Sequence, residues 1–154
     1  MIVEAEELCL SLLKGKGRVL CIDYGDRRVG LALSDVNWII SSPYAVLESH
    51  GIYPKIKKII VEKSVVLMVI GLPCSLNGGF NGKQLEKVKK FVKKLETETE
   101  TTITYWDERL STVSASHFLY EANINKRNQT GYIDKVAASL ILTGFLDYCS
   151  RKIK

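Results

Sequence analysis

The chain has 154 residues, 46% of them hydrophobic and 25% charged, with a net charge of +5 and a pI near 9.0. That length can bury a proper core and fits one domain, and the composition is ordinary for a soluble globular protein. No apolar run approaches the roughly 20 residues needed to span a membrane, the N-terminus does not read as a signal peptide, and four cysteines without a C-x-x-C pair, beside only two histidines, argue against a zinc site. The basic balance suits a polyanion such as nucleic acid. Cys21 and Cys149 read as buried thiols, which fits a cytoplasmic protein.

Residues 1–17 read as an N-terminal extension, with Ile2, Leu8, Leu12 and Leu13 on one side of a short helix ending near Gly15. Residues 18–150 read as a single domain and residues 151–154 as a basic tail. Arg18 to Tyr24 reads as a buried strand and Val29 to Ser34 as a second, joined by a turn whose length and glycine suit a hairpin. Trp38 to Glu48 supplies a third strand, with Pro43 pointing to an edge or an irregularity.

The period then changes. Ile52, Ile56, Ile59 and Ile60 follow helical spacing. The stretch "SVVLMVIGLP" is a continuous apolar run of the kind found in central parallel strands. After the loop "CSLNGGFNG", the segment "KQLEKVKKFVKKLE" places Leu85, Val88, Phe91, Val92 and Leu95 on one helix face. "TTITYW" is a last strand and "DERLS" ends it. A helix capped by Ser111 or Thr112 follows, then a polar loop "EANINKRNQTG", then the mostly apolar helix "YIDKVAASLILTGFLDYCSRK". The order βββ-α-β-α-β-α-α predicts an α/β fold with a mixed five-stranded sheet and helices on both faces.

Three acidic points stand out. Asp23 ends the first strand, Asp107 and Glu108 end the last, and Asp134 sits near the start of the final helix. If these elements are neighbours, the carboxylates converge. Clustered carboxylates repel unless a cation lies between them, and all-oxygen ligation suits Mg²⁺ or Mn²⁺. Two such ions, roughly 3.5–4 Å apart, can activate water and stabilise the leaving oxygen of a phosphodiester. Each acid also has a plainer reading. Asp23 can be a turn residue, and the other acids can be helix-entry residues held by the N-terminal dipole.

Arg27 and Arg28 can meet a phosphate, or pair with Asp26 or Glu108. Lys126 and Arg127 in the polar loop are further candidate nucleic-acid contacts. The lysines of the second helix read as a solvated face. Gly25-x-x-x-x-Gly30 is not a phosphate loop, because Leu31 and Ala32 stand where Lys and Ser/Thr belong. The two glycines suit a turn and a close backbone approach. Tyr105 and Trp106 read as core aromatics, and His117 is given no role.

Taken together, "CIDYGDRRVGLALSD", "VIGLPCSLNGG", "DERLSTVSAS" and "IDKVAASLILTGFLD" resemble, in order, the four signature blocks of the YqgF/RuvX family. The likeness extends from Arg18 to Asp147. It implies an RNase H-like fold and a metal-dependent endonuclease acting on structured nucleic acid. Members are described as Holliday junction resolvases and as nucleases maturing the 5′ end of pre-16S rRNA. It further implies Asp23 as the metal-binding acid of the first strand and a second acid from the Asp107–Glu108 pair, with the member left open. Asp134 becomes the acid of the final helix. Arg28 and Arg109 match the family's arginines, the latter orienting acids or contacting phosphate. Asp26 departs from the pattern, since the family more often has a small polar residue there. A non-catalytic RNA- or ribosome-binding module is the alternative, and an actin-like ATPase lacks its second domain here. The implied partners are pre-16S rRNA or branched DNA, with no membrane, acted on by a monomer or homodimer.

Overall fold

The computed structural model describes residues 1–5, 10–73, 82–107 and 130–152. Its elements are α1 (Leu10–Leu13), β1 (Arg18–Tyr24), β2 (Arg28–Ser34), β3 (Ser41–Glu48), α2 (Ile52–Glu62), β4 (Val65–Leu72), α3 (Gly82–Glu98), β5 (Thr102–Asp107) and α4 (Thr130–Lys152). The five strands form one sheet in the order β3-β2-β1-β4-β5. The β1–β2 and β2–β3 pairs are antiparallel, whereas β4 and β5 run parallel to β1. This is the expected mixed sheet. Helices α2 and α3 cover one face of β4 and α4 the other, which explains why β4 is apolar on both faces.

Strand alternation divides the core in two. Leu20, Ile22, Leu31, Met68, Ile70 and Ile103 pack against α2 and α3 through Ile52, Ile56, Val88, Phe91 and Leu95. Val19, Cys21, Ala32, Val69 and Trp106 pack on the other face against Ala138, Leu142, Phe145 and Cys149 of α4. Trp106 meets Phe145 edge-on at 5.5 Å, as expected of a core aromatic. Tyr24 stacks on Phe91 at 4.5 Å and fastens the end of β1 to α3.

Three local expectations change. Ile2 is not helical; it bridges to Ile103 beside β5, and Val3 N–H donates to the Ile103 carbonyl at 2.8 Å. β3 begins at Ser41 rather than Trp38. Trp38 is buried in the preceding turn with φ 60°, and its indole N–H donates to the Gly17 carbonyl at 2.9 Å. Arg151 and Lys152 form the last turn of α4 rather than a tail. The expected helix after Ser111 and the polar loop lie outside the described residues.

One glycine fixes how α4 meets the sheet. Gly30 lies inside β2, opposite Asp23 of β1. A Cβ on Gly30 would collide with the backbone carbonyl of Asp134. The bare backbone therefore lets the first turns of α4 lie directly on the strand. The collision partner is main chain, so no rotamer change relieves it. Gly30→Ala should cost roughly 1–3 kcal/mol of stability, measured by urea denaturation, and should lower the activity of the site more than a surface change of equal cost.

Candidate active site

Asp23, Gly30, Arg28 and Asp134 form one cluster, and the sheet register explains why. Odd residues of β1 face α4: Val19 and Cys21 pack there, and Asp23 follows them by alternation. Across the ladder, Ala32 pairs with Cys21 and Gly30 with Asp23. Arg28 is two residues further along β2 and shares their face. α4 crosses that face with its Asp134 backbone against Gly30, and Arg28 Nε lies 3.2 Å from Asp134 Oδ2.

The electrostatics are unusual for structural carboxylates. Burial first, and then the nearby Asp134 charge, push the Asp23 carboxyl up to about 7. Asp134 is also raised by burial, against the lowering effect of Arg28. Its Oδ2, although near Arg28, has no hydrogen-bond partner among the described residues. Arg28 thus faces the Asp134 carboxylate, whereas at Asp23 burial and the neighbouring acid both oppose the charged form. Such a pair accepts a hard cation readily. Among the described residues no three metal-ligating side chains gather; the carboxyls of Asp23 and Asp134 are the two that could hold a cation at this cluster.

Asp107 is less simply placed. It pairs with Leu72 at the end of β4, the strand between it and β1. Ile103 and Tyr105 of β5 pack toward α2 and α3, whereas Trp106 packs toward α4. Alternation therefore gives Asp107 to the face opposite Asp23, and two strand spacings set the backbones about 10 Å apart. Glu108, Arg109, Lys126 and Arg127 lie outside the described residues.

The β1–β2 turn is rigidly held. A Cβ on Gly25 would stand 2.5 Å from the Arg28 carbonyl, so the tight turn excludes a side chain there. Ser49 N–H donates to the Arg27 carbonyl at 2.9 Å, and Ser49 Oγ donates to the Asp26 carbonyl at 2.6 Å. The pairing expected of the arginines with Asp26 is not the one found, and the pairing with Glu108 lies outside the described residues. Arg28 pairs with Asp134, and Asp26 pairs with Lys87 of α3 at 3.0 Å. Lys87 thus offsets the extra acid at position 26. The sequence shows only a lysine in a lysine-rich helix, so this role has no local signal. Arg27, Arg28, Glu48 and His50 border an open groove of about 520 Å³ beside the cluster.

The RuvX family profile, described as Holliday junction resolvase, matches residues 17–148. The chain belongs to this family. The RuvX relatives include two named "Putative pre-16S rRNA nuclease": one from Clostridioides difficile is 38% identical, covering 86% of this chain and 95% of its own. The other, from Carboxydothermus hydrogenoformans, is 39% identical, covering 87% and 99%. Among solved structures, Thermus thermophilus RuvC in complex with a Holliday junction substrate aligns with TM-score 0.53 at 9% identity, over 86% of this chain and 96% of that one. A yeast mitochondrial Holliday junction resolvase aligns with TM-score 0.56 at 11% identity, over 96% and 83%. At such identities these likenesses establish the shared RNase H-like fold of RuvX and RuvC proteins.

The raised Asp23 carboxyl has a consequence for stability. Between its ordinary value of 3.8 and about 7, the folded state holds a proton that the unfolded chain has released. Metal-free protein therefore loses stability as pH rises through that window. Asp23→Asn removes the penalty. Its melting temperature should exceed that of the wild type at pH 8, and the gap should close toward pH 4.

Proposed function

We propose that this RuvX-family nuclease is a Mg²⁺- or Mn²⁺-dependent endonuclease that processes the 5′ end of pre-16S rRNA. The observation that carries the reading is the juxtaposition of Asp23 and Asp134 on Gly30, where burial raises both carboxyls above their ordinary range. The rRNA assignment is supported by the names of relatives that align over nearly their whole length. The family description and the shared fold point to branched DNA as the competing substrate.

In this reading Asp23 and Asp134 hold the ion. We assign the second strand-end acid to Glu108 rather than Asp107, because Asp107 belongs to the opposite sheet face. When bound, the ion supplies Lewis acidity toward the scissile phosphate and its attacking water. The chain's own groups do the positioning. Arg28, oriented by Asp134, presents its remaining N–H groups to a phosphate oxygen. Arg27, in the pinned turn, offers a second cation to the same strand. Arg109, Lys126 and Arg127 are assigned to further phosphate contacts.

Cleavage of 5′-extended 16S precursor and of a four-way DNA junction tests the reading, with a chelator as control. Asp23→Asn and Asp134→Asn should each lower the rate by at least roughly 10²-fold. Glu108→Gln should match them, and Asp107→Asn should lose far less. An Asp23→Asn protein that cuts like the wild type would refute the site. Salt-sensitive RNA binding without cleavage would favour the non-catalytic module instead. A readout independent of activity is thermal: at pH 8, Mg²⁺ should raise the melting temperature of the wild type but not that of Asp23→Asn.

A further inference from the structure

Charge on this molecule is concentrated rather than spread. Helices α2 and α3 lie on one face of the sheet. Together they carry nine lysines against four glutamates, an excess of five positive charges. The whole chain has a net charge of +5, so the basic and acidic residues outside these two helices cancel. A helix made soluble by charge alone interleaves both signs in i, i+4 pairs. Here only Lys57, Lys58 and Lys87 form ion pairs among the described residues. Lys94 instead lies over the Tyr53 ring at 4.7 Å, which fixes its ammonium group between the two helices.

The lysines of α3 are also ordered. Lys83, Lys87, Lys90 and Lys94 recur at spacings of four, three and four, so they form a single stripe along the helix. All are exposed, because Val88, Phe91, Val92 and Leu95 take the buried side. The stripe begins at the active-site end of the sheet. Lys87 pairs there with Asp26, next to Arg27. At a rise of 1.5 Å per residue the stripe extends about 16 Å, the span of roughly five phosphates on one strand of a duplex.

We propose that this lysine stripe is the docking track for the nucleic-acid backbone flanking the cleaved phosphate. A duplex arm lies along α3, outside the catalytic cluster, and is held through its phosphates without reading base sequence. The chemistry at Asp23 and Asp134 is then fed by a strand whose direction the track sets. The proposal rests on the nuclease reading for its substrate, yet it can be tested apart from it.

The test uses full-length Asp23→Asn protein and an RNA hairpin of about 30 nucleotides with a 5′ tail, so that binding is read without cleavage. Lys83, Lys90 and Lys94, none of which forms an ion pair among the described residues, are changed together to Gln. A matched control changes Lys14, Lys16 and Arg151 to Gln, which alters net charge equally where β1 begins and α4 ends, away from the Asp23–Asp134 end of those elements. Each phosphate contact contributes about 0.7–0.9 to the slope of log K against log salt. The track variant should lower that slope by about 2–3, which shrinks the affinity loss between about 50 and 200 mM salt by up to roughly forty-fold. The control should leave it unchanged, and both variants should melt like their parent. Equal slopes for the two variants would overturn the track. Full track-dependent binding by a wild type that never cuts would overturn the nuclease reading and leave the track standing.

Discussion

The contact of the α4 backbone with Gly30 is the constraint on which the site depends. Asp23 comes from a strand near the start of the chain and Asp134 from a helix near its end. Neither residue can bring the other closer. The missing side chain at Gly30 removes the thickness that would keep helix and sheet apart. Because Gly30 is the ladder partner of Asp23, the place where the helix descends is also the place where the first acid faces outward.

That geometry creates an electrostatic problem which the local structure only half solves. Arg28 offsets Asp134, yet the Asp23 carboxyl is held near 7 by burial and by its neighbour. A fold selected for stability alone would replace one acid with an apolar residue. Retained strain of this kind is typical of functional carboxylates. The neighbouring acid Asp26 shows the contrast: it is exposed, meets Lys87, and adds no unpaired charge to the cluster.

The two faces of the sheet differ in charge. The α4 face holds the carboxylates and the arginine that orients toward them. The α2–α3 face holds the excess positive charge. They meet at the β1–β2 turn, where Arg27, Asp26 and Lys87 stand side by side and Ser49 clamps the backbone.

Local pattern sufficed for much of the molecule. Apolar runs bounded by turn residues marked the buried strands and the last helix, and period-3.6 spacing marked α2 and α3, because burial of one helix face imposes that period. The four sequence blocks marked the family, and residue type alone nominated Asp23 and Asp134. It failed where neighbours in space are distant in sequence. Ile2 joined β5 rather than a helix, since a strand edge offered hydrogen bonds that a short helix could not match. Arg28 found Asp134, and Asp26 found Lys87. Asp107 fell on the far face because its parity is set by where Trp106 packs. The lysines of α3 are exposed, as a solvated face requires, but that Lys87 meets Asp26 and Lys94 meets Tyr53 follows only from how α3 sits beside the β1–β2 turn and α2. Which apolar residues are buried follows from spacing along the chain, but which charges meet follows from how separated elements are set against one another, and that only the folded sheet and its helices decide.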